Sequence, residues 1–213
     1  MRLPVRALSR QELDRKLEAG DRRQGLLLYR PTCPSCDACE PIRIDVQRFA
    51  PSRSHRRVLA RAERKLVVEL GPPLVDERRA ELYNLHRDGR DLAHGPPIDV
   101  EGYRAFLGQT CCDSFEQRFL AGDTLIGVAI TDRSATALSA VYCYFDPAYE
   151  RLSPGTFSIL KQIELCRRWG LSHLYLGLYV RGSRPMQYKV RWLPHERRLD
   201  GEWKSFERAS VGT

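Results

Sequence analysis

The sequence predicts an α+β protein, with strand and helix patterns grouped in runs rather than strictly alternating. Two observations carry this. Thr124 to Thr131 and Ala137 to Phe145 read as two strands joined by the short polar segment 132–136. A single amphipathic helical pattern and one more strand-like run follow them. With 213 residues, 42% hydrophobic and 29% charged, the chain can bury a core as one domain or two small ones.

Taken in order, Arg10 to Ala19 predicts a short helix, because Ser9 can cap it, Glu12 stands three residues on, and Gly20 follows. Gly25 to Tyr29 reads as a buried strand running into a cysteine loop. Pro41 to Val46 reads as a second strand with Ile42, Ile44 and Val46 on one face. These elements make a small cysteine-bearing N-terminal β module, residues 1–60. Arg56 to Leu66 reads as a helix bridging to the rest, Val67 to Leu70 as a strand, and Asp76 to His86 and Asp99 to Leu107 as helices. The pair Thr124–Thr131 and Ala137–Phe145, joined by a polar turn, predicts an antiparallel hairpin. It places Tyr142 and Tyr144 on one face and Val141, Cys143 and Phe145 on the other. Ser153 stands where a cap is needed and Pro154 suits a first helical position. Ile159, Leu160, Ile163 and Cys166 then form a stripe that Gly170 ends, and His173 to Val180 is a strand following that helix. This order in residues 61–213 fits an acetyltransferase-like (GNAT-type) catalytic domain. Ala209 to Thr213 is expected to be disordered.

No apolar run reaches the roughly 20 residues of a membrane span, and the N-terminus is charged too early for a signal peptide. Seven cysteines, three of them in Cys33–Cys39, fit reduced thiols or metal thiolates better than a disulfide framework. A cytoplasmic setting is expected. The net charge of +8 favours an anionic partner. Between Arg43 and Lys65, six further arginines face only Asp45 and Glu63. That run is either a solvated helix face or a phosphate-contacting surface, and the guanidinium fork matches phosphate oxygens.

The segment Tyr29 to Arg43, followed by Phe49 to Arg57, resembles the bacterial aspartate/glutamate leucyltransferase branch of the arginyl-tRNA–protein transferase family. Gly155–Ser158, Tyr175–Tyr179 and Met186–Lys189 before Pro194 agree with it, in the same order. The resemblance implies transfer of leucine, or arginine, from charged tRNA to proteins beginning with Asp or Glu, which marks them for degradation. Two departures stand out: no cysteine precedes Cys33, and Ser183 stands where relatives often carry cysteine.

Aminolysis of an aminoacyl ester needs an amine held beside the ester carbonyl, a donor for the oxyanion and a proton for the leaving ribose oxygen. No cofactor is required. The candidate catalytic groups are Tyr188, Lys189, Tyr175 and Glu164. Arg43, Lys189 and Tyr29 are the candidates for binding the acidic acceptor, and Arg53, Arg56, Arg57 and Arg61 for tRNA. Each has a plainer reading: an ion pair for Arg43, Lys189 and Glu164, core packing for the tyrosines, and solvated charge for the arginines. Cys33, Cys36 and Cys39 have chelating spacing for zinc or an iron–sulfur cluster, with Cys111–Cys112 as a source of the fourth ligand. They could equally be redox-active or simply small buried residues. His55, His86, His94, His173 and His195 show no ligand pattern. Two other functions compete: an acyl-CoA-dependent N-acetyltransferase, and a non-enzymatic metal-bearing module that binds RNA or degrons. Pro154 and the single glycine at the helix opening weaken the coenzyme A reading, since a pyrophosphate cradle needs backbone amides.

Overall fold

The computed structural model describes residues 1, 3–92 and 95–207. His94 and the tail expected to be disordered lie outside the described residues. The capping box at Ser9 forms: its hydroxyl accepts from the Glu12 amide, and the Glu12 carboxylate accepts from the Ser9 amide at 2.8 Å. Helix α1 (Arg10–Glu18) then buries Leu13 and Leu17, four residues apart on one face. The expected strand at 25–29 is the second arm of a hairpin, β1 (Arg22–Gln24) and β2 (Leu27–Tyr29). Its turn needs glycine, because Gly25 has φ 56° and an added Cβ would overlap the Ala105 carbonyl.

Eight strands form one mixed sheet. In chain order they are β3 (Cys39–Asp45), β4 (Val67–Gly71), β5 (Ser114–Ala121), β6 (Thr124–Arg133), β7 (Ala137–Phe145), β8 (His173–Val180), β9 (His195–Leu199) and β10 (Glu202–Phe206). Across the sheet the order is β10-β9-β3-β8-β7-β6-β5-β4, and every neighbouring pair is antiparallel except β7 with β8. Strand β3 therefore sits inside the sheet, so a division at residue 60 crosses it. The expected separate N-terminal β module is corrected to a hairpin plus one strand of the common sheet. The physical reason is burial: Ile42, Ile44 and Val46 are 0% exposed because β8, β9 and the helix behind them cover β3.

Helices cover both faces. On one lie α2 (Arg53–Glu63) and α5 (Pro154–Arg168). On the other lie α3 (Glu77–Asp88) and α4 (Val100–Tyr103), the latter continued by a π turn to Gly108. Alternation along β6 shows this directly: Val128 and Ile130 join the α3 cluster, while Ala129 joins Phe157 of α5. Tyr142 and Tyr144 pack together against Tyr83 as the alternation predicts. Val141 departs from it, because a bulge between Ile130 and Thr131 leaves it outside the ladder and it packs with the tyrosines.

Three differences have local causes. Helix α2 begins at Arg53 because Ser52 caps it, exchanging hydrogen bonds with the His55 amide and ring. Ser153 precedes α5 but makes no side-chain cap; its φ of 55° turns the chain, and its hydroxyl accepts from Arg61 at 3.1 Å. Strand β5 escapes a periodicity reading because Glu116 and Gln117 are both 0% exposed, Glu116 being held by Arg79 and Arg118.

Candidate functional site

The site begins with a break in the sheet. β7 and β8 pair only through Ala137, Leu138 and Ser139 against His173, Leu174 and Tyr175. Beyond these residues each strand continues but no longer pairs with the other, so the two part and leave a gap. Arg22, from β1, reaches into it. One of its Nη atoms donates to the Ala140 carbonyl at 3.4 Å, the first carbonyl of β7 beyond the paired stretch. On the β8 side it lies against Gly177, which has φ 90° and where a Cβ would overlap the guanidinium. A bulge beside Ile42 and Arg43 allows this backbone path in β8. Among the described residues, no acceptor lies within hydrogen-bond reach of the buried Nε and Nη1 of Arg22. Burial lowers the pKa of this guanidinium.

Other candidates gather around it. Tyr29 lies directly across the hairpin from Arg22, so the two side chains share a face. The turn Arg184–Arg191 packs on β8 and carries Tyr188 and Lys189. Lys189 Nζ donates to the Leu178 carbonyl at 2.6 Å. Burial, with the Arg22 charge adding to it, pulls the Lys189 amine down to about 7. Tyr188 keeps 47% of its surface exposed, yet its inward hydroxyl is pushed up to about 12, chiefly by burial. Tyr29, Tyr188 and Lys189 are thus brought together with a residue that the sequence reading missed. The available signal was Gly25: read as a hairpin turn, it sets Arg22 opposite Tyr29.

Arg43 and Tyr175 belong to a different cluster. The Arg43 guanidinium donates to Glu196 at 2.6 Å, to Glu18 and to the Tyr175 hydroxyl, and lies 4.1 Å from the Trp203 ring centre. The Tyr175 hydroxyl donates in turn to Glu18 at 3.1 Å, and burial raises its pKa. The expectation that Arg43 binds an acidic acceptor is therefore corrected: two carboxylates already occupy it. Tyr175 is corrected with it, since its hydroxyl is committed to the same network. Glu164 sits on α5 and pairs with Lys161, which also reaches Glu63 of α2 at 3.3 Å. That tie between helices replaces the general-base reading.

Arg53, Arg56, Arg57 and Arg61 are exposed on α2. Helix α2 packs against α5 and the 3-10 turn Pro147–Leu152, so this basic surface borders the start of α5. The cysteine loop is also corrected. Cys33 and Cys36 face each other across an exposed turn, while Cys39 is fixed at the start of β3. Cys111 is buried elsewhere, and Cys112 packs with Leu13, Leu17 and Tyr175. Among the described residues no three His, Cys, Asp or Glu side chains converge as a ligand set, so the structure gives the zinc or iron–sulfur reading of these thiols no support. Among the same residues no helix is long and apolar enough to cross a membrane.

Comparison with known proteins fits this geometry. The fold is similar to that of FemX (TM-score 0.56, 10% identity, covering 84% of this chain and 64% of that one). It is also similar to L-PGS from Bacillus licheniformis (TM-score 0.53, 12% identity, 82% and 62%). The chain spans under two thirds of either structure, and the likeness establishes a mixed α+β fold shared with them. Residues 2–57 match the family described as arginine-tRNA-protein transferase, N terminus, and residues 78–199 match its C terminus. Aspartate/glutamate leucyltransferase of Aeromonas hydrophila is 43% identical over 91% of this chain and 81% of its own length. The protein of that name from Thiobacillus denitrificans is 40% identical over 90% and 80%. The fold and the matches together define an aminoacyltransferase. The chain belongs to the arginine-tRNA-protein transferase family.

Proposed function

We propose that this chain moves leucine, or arginine, from charged tRNA to the α-amino group of proteins beginning with Asp or Glu, and so marks them for degradation. The reaction is read into the gap between β7 and β8. The observation that carries this is the meeting there of a buried cation whose Nε and Nη1 have no acceptor among the described residues, an amine near neutrality and a tyrosine hydroxyl. The acceptor nitrogen attacks the ester carbonyl, the neutral Lys189 amine takes the proton the attacking amine sheds, and the carbon–oxygen bond to ribose breaks. Tyr188 supplies a proton to the departing ribose oxygen. Arginines on α2 hold tRNA phosphates outside the gap. The opening of α5 supports the tRNA donor over coenzyme A: Ser153 is left-handed and Pro154 has no N–H, so an amide cradle is incomplete. Residues 1–60 and 61–213 are read as two sequence modules folded into one sheet. Free thiols and a tRNA donor support a cytoplasmic setting.

The test is a matrix of leucyl-tRNA, arginyl-tRNA and acetyl-CoA against peptides that differ in their first residue. Extension of Asp and Glu peptides from a charged tRNA is expected. Acetylation, or binding of tRNA regardless of charging with no transfer, would replace this reading with one of its competitors.

A further inference from the structure

The proposed reaction needs a group that tells an acidic first residue from a neutral one, and Arg43 cannot supply it. Four other arginines near or within the core each meet a carboxylate: Arg23 with Asp132, Arg43 with Glu196, Arg79 with Glu116, and Arg197 with Glu40. Arg22 differs. Its neighbour Arg23 takes Asp132 at 2.7 Å, and what remains for Arg22 is one long bond to a backbone carbonyl. A buried guanidinium with unanswered N–H groups is costly, and the chain accommodates it with a glycine that nothing larger can replace without collision. Such an arrangement persists where a ligand completes it.

Building on the proposed reaction, we infer that Arg22 binds the side-chain carboxylate of the acceptor's first residue and sets the preference for Asp and Glu. An N-terminal Asp carries its carboxylate and its amine only a few bonds apart. The gap presents a matching pair, the Arg22 cation and beside it the Lys189 amine. The carbonyls of Ala140 and Leu178 lie against these same two side chains. Carbonyl oxygens repel further negative charge, so this surrounding suits one carboxylate better than a bulky phosphate. Phosphates have the exposed arginines of α2 instead. The Tyr188 ring stands half-exposed beside Arg22, at the mouth of the gap.

The experiment compares peptides that begin with Asp or Asn, near-isosteres differing in charge, using the full-length protein and saturating leucyl-tRNA. In wild type the ratio of kcat/KM for Asp over Asn is expected to be large. In Arg22→Met it should fall by at least roughly thirtyfold through loss of the Asp reaction, because one partner of a buried charge pair is gone. Arg22→Lys should restore part of the ratio. KM for leucyl-tRNA should stay within about twofold in both variants that fold, as judged by their melting transitions. An unchanged Asp/Asn ratio in Arg22→Lys and Arg22→Met overturns the inference. So does an equal loss for both peptides accompanied by a raised KM for leucyl-tRNA, which would assign Arg22 to the donor. Wild-type protein that extends neither peptide from any charged tRNA would instead remove the proposed function itself, so the two failures are distinguishable.

Discussion

Lys189 shows how a single position acquires chemistry from its surroundings. Its amine is drawn from an unfolded value of about 10.4 to about 7 by burial, with Arg22 nearby. The sign of the linkage follows. Between these values the unfolded chain holds a proton that the folded chain lacks, so stability gained at this residue rises with pH across that window and is least below about 7. Activity has its own signature. Below about pH 6.5 both Lys189 and the acceptor amine, with a pKa of about 7.7–8, must lose a proton before attack. The expected kcat/KM for an Asp peptide therefore climbs about two decades per pH unit there. In Lys189→Met the residual activity should climb about one decade per unit. A stopped assay across this range checks it, and an identical slope in the variant would take proton transfer away from Lys189.

Among the elements, α2 has the most testable role. Its arginines are exposed while Ala62, on its inner side, is buried, so two substitutions on the outer side leave packing intact. Arg56→Ser with Arg57→Ser should weaken tRNA binding and reduce the slope of log K against log salt by roughly one for each phosphate no longer neutralised. Filter binding at several salt concentrations measures this; an unchanged slope would leave the helix as solvated charge. The same scale shows what could be read in advance. Helix α1 was legible because Ser9 and Glu12 sign its start, and β6 and β7 because two apolar runs flank a short polar turn. Strands β5, β9 and β10 were not. Glu116 and Gln117 lie at interior positions, and Arg197 and Arg198 stand side by side in β9, so their polarity masks the period. Arg22 was legible only in part: Gly25 marks the turn that sets it opposite Tyr29, but nothing in a sequence says which of two adjacent arginines finds the carboxylate.

Over the whole molecule, the insertion of β3 decides what can fold alone. Ile42, Ile44 and Val46 are each fully buried, at roughly 1.5–3 kcal/mol apiece. Their sum rivals the ~5–15 kcal/mol by which whole domains are stable. A fragment of residues 61–213 would leave β8 and β9 unpaired on either side of a missing strand. It is expected to lack a cooperative thermal transition, and co-expression with residues 1–60 should restore one. A sharp calorimetric transition in the fragment by itself would mean that the two sequence modules are independent after all.

That topology also bears on how the chain is made. The Arg43–Glu196 ion pair joins positions 153 apart in sequence, and β3 meets β9 only when the last strands exist. At about 5–20 residues per second, synthesis keeps an early strand waiting many seconds for its neighbours. Until those last strands are made, the sheet that frames the site is therefore incomplete.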